Sequence, residues 1–167
     1  MIMNIITGKN TKILREIAQP IETVTPDTIK LIQEMRQTMK AGHPRGIGLA
    51  APQIGMSIRL FVAEINYTKT KTGQFYACIN PEIVSQSKET EEIEEGCLSL
   101  PNITGTSTRK KTITITYLNE YGKKMKTKAR GLLSCIFQHE LDHLNGVLFI
   151  DKAKNIRERI SPLSPSI

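Results

Sequence analysis

Apolar residues recur at helical spacing in two segments of the chain, and each segment predicts a helix. The first segment follows Thr25–Asp27, where a threonine can cap the helix, a proline suits its first turn and an aspartate complements its dipole. This helix should end near Lys40, before a glycine. The second segment is Gly131–Leu144, and the pair Asn145–Gly146 predicts its end.

Between these helices, apolar and polar residues alternate with the two-residue period of β-strands. The segments that predict strands are Ile58–Ile65, Gln74–Ile79, Ile113–Tyr117 and, beyond a turn at Asn119–Gly122, Lys123–Ala129. Two stretches lack this period: glycine-punctuated Arg45–Gly55 predicts a loop, and Asp151–Ile160 predicts a short basic helix. The pattern therefore predicts an α+β fold, with an antiparallel strand-rich core packed around the helix of the C-terminal half.

The composition is that of one soluble globular domain over residues 1–167, in which 39% of residues are apolar and 23% charged. The chain has no run of about 18 apolar residues, so no membrane span is expected. Its first residues do not resemble a signal peptide. The three cysteines form no disulfide framework, and Cys78 and Cys135 lie in apolar surroundings that predict burial. We therefore expect a cytoplasmic protein.

The net charge of +7 is unevenly distributed. Arg109–Arg130 holds eight basic residues and a single acidic one, Glu120, whereas Glu82–Glu95 holds six acidic residues and Lys88. One interpretation is that both segments are solvated strand faces; the other is that the basic segment is an electrostatic footprint for RNA or another anionic surface. Aromatic residues make up only 5% of the chain, so we expect no sequence-specific recognition of nucleic acid.

Candidate chemistry lies in the second predicted helix, where two of the three histidines occur in the H-E-x-x-H pattern His139–His143. Residues four apart face the same side of a helix, so both imidazoles can reach one metal ion. Glu140, between them, is placed to act as a general base toward a water molecule. The pattern predicts metal-assisted hydrolysis.

A catalytic site of this kind needs a third protein ligand. The metzincin extension of the motif would put a histidine at position 149, which is Phe149, and the one glutamate downstream, Glu158, lies in a basic tail. His43 lies in a glycine-proline segment that favours the surface. Cys97, which follows an acidic strand and a glycine, is the remaining candidate, with a buried structural cysteine as the alternative.

Three ordered motifs resemble those of the peptide deformylase family. They are Gly46-Ile-Gly48-Leu-Ala-Ala-Pro-Gln53, Glu95-Gly-Cys97-Leu-Ser99 and Gln138-His-Glu-Leu-Asp-His143, which resemble the family's G-x-G-L-A-A-x-Q, E-G-C-L-S and Q-H-E-x-D-H. The resemblance covers nearly the whole chain. It implies removal of the N-formyl group from the initiator methionine of nascent peptides, with release of formate.

The resemblance also implies roles for individual residues. Cys97, His139 and His143 would hold one divalent metal, typically Fe²⁺ in this family, although such a ligand set also accepts Zn²⁺, Ni²⁺ or Co²⁺. Glu140 would move the proton, while the side-chain amide of Gln53 and the backbone N–H of Leu98 would stabilise the oxyanion. The substrate backbone would lie along a segment formed by Gly46, Ile47 and Gly48.

Two features of the chain refine these expectations. Arg109 matches an arginine of the family, and we expect it to pair with Asp142 and fix the orientation of the helix. Thr104 and Thr108 depart from the family, which often has a substrate-contacting arginine and a proline at these positions. These departures leave the metal ligands intact. One of them changes a side chain that would contact the substrate in the family, so they bear on the affinity for substrate.

Alternatives to a deformylase are a zincin-type protease, which the missing downstream ligand disfavours, and a noncatalytic RNA- or ribosome-binding module. The intact Glu140 and Gln53 disfavour the second alternative, because a structural metal needs neither residue. The expected partners are N-formylmethionyl nascent peptides and the ribosome, the latter through basic surface such as the tail Lys152–Arg159.

Overall fold

A computed structural model of the chain describes residues 1–42, 45–65 and 73–158. It contains two α-helices, α1 (Pro26–Ala41) and α2 (Leu132–Leu144). The Thr25 hydroxyl accepts a hydrogen bond from the backbone N–H of Thr28, so the predicted cap is present. Both helices were predicted within a residue of their observed ends.

Within the described ranges, eight strands form two antiparallel sheets. The strands are β1 (Gly48–Ala50), β2 (Leu60–Ile65), β3 (Gln74–Gln86), β4 (Thr90–Cys97), β5 (Leu100–Lys110), β6 (Thr112–Leu118), β7 (Lys124–Arg130) and β8 (Lys154–Glu158). The order is β1-β2-β3-β6-β7 in the larger sheet and β4-β5-β8 in the smaller one. Single 3₁₀ turns occur at Lys12–Arg15, Ala51–Ile54 and Phe149–Asp151. The predicted α+β class is confirmed.

The two helices pack on opposite faces of the larger sheet. Successive residues of its strands point to opposite faces, and both faces carry apolar side chains. On one face, Ile136, Phe137 and Leu141 of α2 join alternate residues of β2, β6 and β7 in a buried cluster, which we call the α2-side cluster. On the other, Leu31, Met35 and Met39 of α1 pack on the intervening residues of β1, β2 and β3. The helix that carries the H-E-x-x-H pattern is therefore held against the centre of the fold. No helix in the described ranges is long and apolar enough to cross a membrane.

Four elements differ from the sequence predictions. Strand β3 begins at Gln74 as predicted but continues to Gln86, beyond the predicted end at Ile79. The segment predicted as a loop contains β1, whose short run Gly48–Ala50 pairs with β2. The segment predicted as a short basic helix contains β8, which pairs along β5 and satisfies an otherwise open sheet edge. Strand β5 itself has no alternating pattern to reveal it. Residues 159 and 160 of the predicted helix, and His43, lie outside the described residues.

The end of helix α2 depends on a glycine. Gly146 adopts φ +72°, and a β-carbon there would lie 2.6 Å from the Arg15 carbonyl oxygen. This close approach holds the C-terminal end of α2 against the N-terminal segment of the chain. The Ala18 N–H of that segment also donates to the Leu144 carbonyl. The predicted Asn145–Gly146 stop is confirmed.

A buried carboxylate ties α1 to the start of β1. Glu64 is 2% exposed, and its oxygens accept from Arg36 at 2.9 Å, Lys40 at 2.8 Å and Arg45 at 3.4 Å. Burial acts to raise the pKa of Glu64, but the hydrogen bonds and charges of Arg36 and Lys40 outweigh it and lower that pKa below its ordinary value. The Glu64 N–H donates to the Ile47 carbonyl, so the cluster also positions the segment before β1.

Glu64→Gln is expected to lower the free energy of unfolding by about 2 kcal/mol at neutral pH, because three cations lose their charged partner. A lowered folded-state pKa contributes stability above the ordinary carboxyl pKa, and this contribution is lost as pH falls through the folded value. The difference between wild type and variant should therefore shrink as the pH is lowered below about 4.5. Urea unfolding across this range checks it, with exposed Glu22→Gln as a control expected to show no difference.

Candidate metal centre

Helix α2 directs three adjacent functional groups into one buried space. His139, Glu140 and His143 are 1–2% exposed, although all three side chains are polar. The Nε2 atom of His139 and the Oε2 atom of Glu140 have no hydrogen-bond partner among the described residues. Buried polar atoms are nearly always satisfied in native proteins, so these atoms indicate a ligand that completes the site.

Cys97 reaches this space from the smaller sheet. It ends strand β4 at a register shift after Gly96 and is 1% exposed. Its Sγ lies 3.2 Å from the Nε2 of His143, and the ligand atoms of Cys97, His139 and His143 all lie within 4.8 Å of one another. A thiolate and two imidazoles at this separation fit one metal ion with a coordination position left open. The structure thus brings together the three ligands expected from the sequence.

Glu95 orients the first of the two histidines. Its Oε2 lies 2.9 Å from the Nδ1 of His139, and both of its oxygens accept from Arg109, at 2.5 and 2.9 Å. Burial acts to raise the pKa of Glu95, but the hydrogen bonds from Arg109 and His139 lower it to about 2. An ionised Glu95 fixes the tautomer of His139 that leaves Nε2 free to bind a metal.

This role of Glu95 is not among those expected from the sequence. The signal available was strand alternation, which puts Glu95 and Cys97 on the same face of β4. Strand alternation alone does not reveal that His139 of α2 lies opposite this face of β4.

The expected pair of Arg109 and Asp142 is confirmed, with an Nη1–Oδ2 distance of 2.6 Å. Arg109 is 4% exposed and bridges Glu95 on β4 to Asp142 on α2. The Nζ of Lys152 also donates to Asp142, at 2.6 Å. An ion-pair chain thus connects the smaller sheet to the helix that carries both histidines.

Arg109→Leu is expected to weaken metal binding by about 10- to 100-fold, because Glu95 loses the partner that orients it toward His139. The free energy of unfolding should fall by about 3–5 kcal/mol, since two carboxylates lose a buried counter-charge. Chelator competition and urea unfolding measure the two effects. The matched control is Arg157→Leu, which removes an exposed pair with Glu94 and should change stability by less than about 1 kcal/mol. Metal affinity and stability equal to wild type in Arg109→Leu would contradict this role.

Gln53 is held rigidly at the edge of the centre. Its Oε1 accepts from the Ala50 N–H at 2.8 Å, and its Nε2 lies 3.2 Å from the Ser99 Oγ and 3.5 Å from the Cys97 Sγ. The amide donor therefore points toward the metal ligands. Leu98, between the cysteine and Ser99, is half-buried.

Glu140 lies directly against strand β1. A β-carbon built on Gly48 would be 2.1 Å from the Oε1 of Glu140, so only glycine leaves room for this carboxyl. Burial raises the pKa of Glu140 to about 7, a range in which a carboxyl both accepts and returns a proton near neutral pH. Gly46 is similarly close to Leu98, whose Cδ1 would lie 2.7 Å from an added β-carbon.

Strand β1 also lies at the edge of its sheet. Within the described ranges it pairs with β2 alone, so the other edge of Gly48–Ala50 is open beside Glu140. Ile47 precedes it and packs against the α2-side cluster. An extended peptide could pair with this edge and bring its end to the centre.

The two departures lie on β5. Thr104 is 3% exposed and pairs with Gly96 of β4 and Arg157 of β8, whereas Thr108 is exposed. Neither residue belongs to the group of candidate metal ligands.

A buried Cys/His/His ligand set, a carboxyl beside it whose Oε2 has no partner among the described residues, and an open strand edge define the centre of a metal-dependent hydrolase on an α+β fold. The family model described as polypeptide deformylase matches residues 2–159. The chain belongs to the peptide deformylase family.

Individual relatives agree with this assignment. The chain is 48% identical over 144 residues to a peptide deformylase of Carboxydothermus hydrogenoformans, covering 86% of this chain and 89% of that protein. The crystal structure of peptide deformylase from Thermotoga maritima superposes with a TM-score of 0.84 at 39% identity, covering 92% and 99% of the two chains. The Met-Ala-Ser-bound enzyme from Acinetobacter baumannii gives 0.83 at 31% identity, covering 91% and 98%.

Proposed function

We propose that the protein is a metal-dependent peptide deformylase, a hydrolase that removes the N-formyl group from the initiator methionine of nascent polypeptides and releases formate. The observation that carries this proposal is the buried cluster of Cys97, His139 and His143, within 4.8 Å, in a chain of this family. We further propose that residues 1–167 act as one catalytic domain.

Cys97, His139 and His143 would hold the metal, and the unpartnered Nε2 of His139 supports this assignment. When bound, a divalent ion supplies Lewis acidity that favours attack of water on a carbonyl. Fe²⁺ is the proposed native ion by family resemblance. The same donors accept Zn²⁺, Ni²⁺ or Co²⁺, so supply in the cell contributes to the choice.

Glu140 would be the proton carrier. Its Oε2 has no partner among the described residues, and its raised pKa suits both directions of transfer. It accepts a proton from the water that attacks the formyl carbon. It then returns the proton to the departing amine nitrogen as the carbon–nitrogen bond breaks, so that formate and a free methionine amine result.

Gln53 and Leu98 would stabilise the charge that develops on the formyl oxygen. The Gln53 amide is held by Ala50 and points toward Cys97. The backbone N–H of Leu98, the residue after Cys97, is the second proposed donor. Donors fixed before the reaction contribute most in a water-poor site such as this one.

Gly46, Ile47 and Gly48 would bind the substrate backbone along the open edge of β1. The Met-Ala-Ser tripeptide bound to the Acinetobacter baumannii enzyme is a ligand of the size that such an edge would accept. Because Gly48 also contacts Glu140, a peptide paired there lies beside the proton carrier.

We also propose that the enzyme acts in the cytoplasm, where it meets nascent chains at the ribosome. The tail Lys152–Arg159 was the expected contact. Two of its cations already pair with carboxylates, Lys152 with Asp142 and Arg157 with Glu94, and Arg159 lies outside the described residues. The structure therefore offers little free charge in the described part of this tail.

The test is formate release from formyl-Met-Ala-Ser by protein purified without oxygen, with metal measured on the same sample. Turnover with about one metal per chain, lost together with the metal in Cys97→Ala, would support the proposal. Bound metal without turnover would contradict it. For the native ion, activity that decays in air and survives after nickel substitution would support Fe²⁺, whereas equal air stability would count against it.

A further inference from the structure

One half of the α1-side face of the larger sheet is not covered by α1. The apolar cluster beneath this helix is built from β1, β2 and β3, and reaches β6 only at Leu118. Beyond Leu118 the same face of β6 continues with threonines, and β7 carries basic residues. We call this region the basic face; it consists of Thr112, Thr114, Thr116, Lys124, Lys126, Lys128 and Arg130.

Strand alternation places the four cations of the basic face in one row. Ala129 is buried in the α2-side cluster, so the residues on either side of it point the opposite way. Lys124, Lys126, Lys128 and Arg130 are all exposed. The row spans about 20 Å at about 3.4 Å per residue. In the register of the sheet, Lys126, Lys128 and Arg130 lie opposite Thr116, Thr114 and Thr112.

These cations lack the partners that occupy other basic residues of the protein. Among residues 1–42, 45–65 and 73–158, none of the four makes a salt bridge, whereas Arg109, Lys152 and Arg157 each pair with a carboxylate. Two acidic residues lie near the face: Glu82 on β3, paired with Thr116 and two strands away from β7, and Glu120, which precedes Tyr121 in the turn. The four cations outnumber these carboxylates, so the row carries an excess of positive charge.

An exposed aromatic ring lies at one end of the row. Tyr121 is in the turn that joins β6 to β7 and is 78% exposed, with Lys123 also exposed beside it. Tyrosine rings left in water next to cations offer a stacking surface for a base.

We propose that the basic face binds the phosphate backbone of single-stranded RNA, with Tyr121 stacking on a base. Lysine, arginine and threonine are typical donors to phosphate oxygens, and a cation at every second residue follows a chain of regularly spaced charges. A flat strand face with an aromatic at its end suits unpaired RNA better than a duplex. The scarcity of large apolar side chains among these residues disfavours a membrane surface.

The experiment measures fluorescence anisotropy of a labelled, unstructured 12-nucleotide RNA with the full chain in its metal-loaded form. Four contacted phosphates predict a slope of about −3 for log K against log salt. Replacing Lys124, Lys126, Lys128 and Arg130 with serine should weaken binding at least about tenfold at low salt and flatten that slope. Tyr121→Ala should weaken binding about fivefold or more, and Tyr121→Phe should retain it.

The matched control neutralises four exposed lysines elsewhere, Lys9, Lys12, Lys30 and Lys154, and should leave RNA binding within about twofold of wild type. An equal loss of RNA affinity in both quadruple variants would show that net charge alone explains the binding, and it would overturn the proposal. So would binding to phosphatidylserine vesicles, or to an acidic peptide, in preference to RNA. Formate release from formyl-Met-Ala-Ser is expected to be unchanged in every variant, which separates this proposal from the proposed catalytic function.

Discussion

Replacing Glu140 with glutamine is expected to lower formate release by a factor of about 10² to 10⁴. Glutamine keeps the shape of the side chain in its tight contact with Gly48, but it cannot accept a proton from water or return one to the amine. Because Cys97, His139 and His143 are untouched, the variant should bind metal as wild type does. The kinetic loss should appear in kcat for formyl-Met-Ala-Ser, with little change in KM.

The control is Glu92→Gln, an exposed glutamate on β4. It removes the same charge from the protein and should leave kcat unchanged. A Glu140→Gln enzyme that keeps more than about a tenth of the wild-type kcat with full metal content would rule out this residue as the proton carrier.

The second large loss of activity is expected when a single methyl group is added at Gly48. In Gly48→Ala the added carbon would lie 2.1 Å from the Glu140 Oε1 and 2.8 Å from its Cδ, so the carboxyl must move. Glu140 is 1% exposed, so the displaced carboxyl must shift within the buried site. A displacement of about 1 Å in a reacting group lowers rates by about 10²-fold, and we expect at least that loss in kcat.

Gly46→Ala is the matched comparison for this variant. Its new carbon would meet the Cδ1 of Leu98, the end of a half-buried side chain that can rotate away. A smaller loss in kcat is therefore expected. Metal content should be close to wild type in both variants, whereas the melting temperature should fall further in Gly48→Ala, because its new carbon meets a buried group. Full activity in Gly48→Ala would show that β1 and Glu140 are not in the close contact described.

The main elements of the fold could be predicted where a local pattern dictates them. Helix α1 has a capping threonine and an apolar stripe, and the β6–β7 hairpin alternates around a turn, so both were predicted close to their observed ends. The metal ligands could be proposed because the spacing of His139 and His143 has meaning on a helix, and because Cys97 was the remaining suitable donor.

Other features depend on contacts between distant segments, which no local pattern reveals. Strand β1 has three residues inside a glycine-rich segment and exists because β2 lies beside it. Strand β8 carries charged residues that would suit a helix, but it forms a strand because β5 offers an open edge. The hydrogen bond between Glu95 and His139 joins residues 44 positions apart, so it is visible only in the three-dimensional structure.

The ion pairs that join Glu95, Arg109 and Asp142 have a consequence for how the enzyme acquires its ion. They connect the strand that carries Cys97 to the helix that carries both histidines through protein–protein contacts. The donors are thus preorganised, and little of the free energy of metal binding is consumed in ordering the chain. We therefore expect one ion to be exchanged for another without unfolding, so that the metal in a purified sample would depend on the conditions to which the folded enzyme was last exposed.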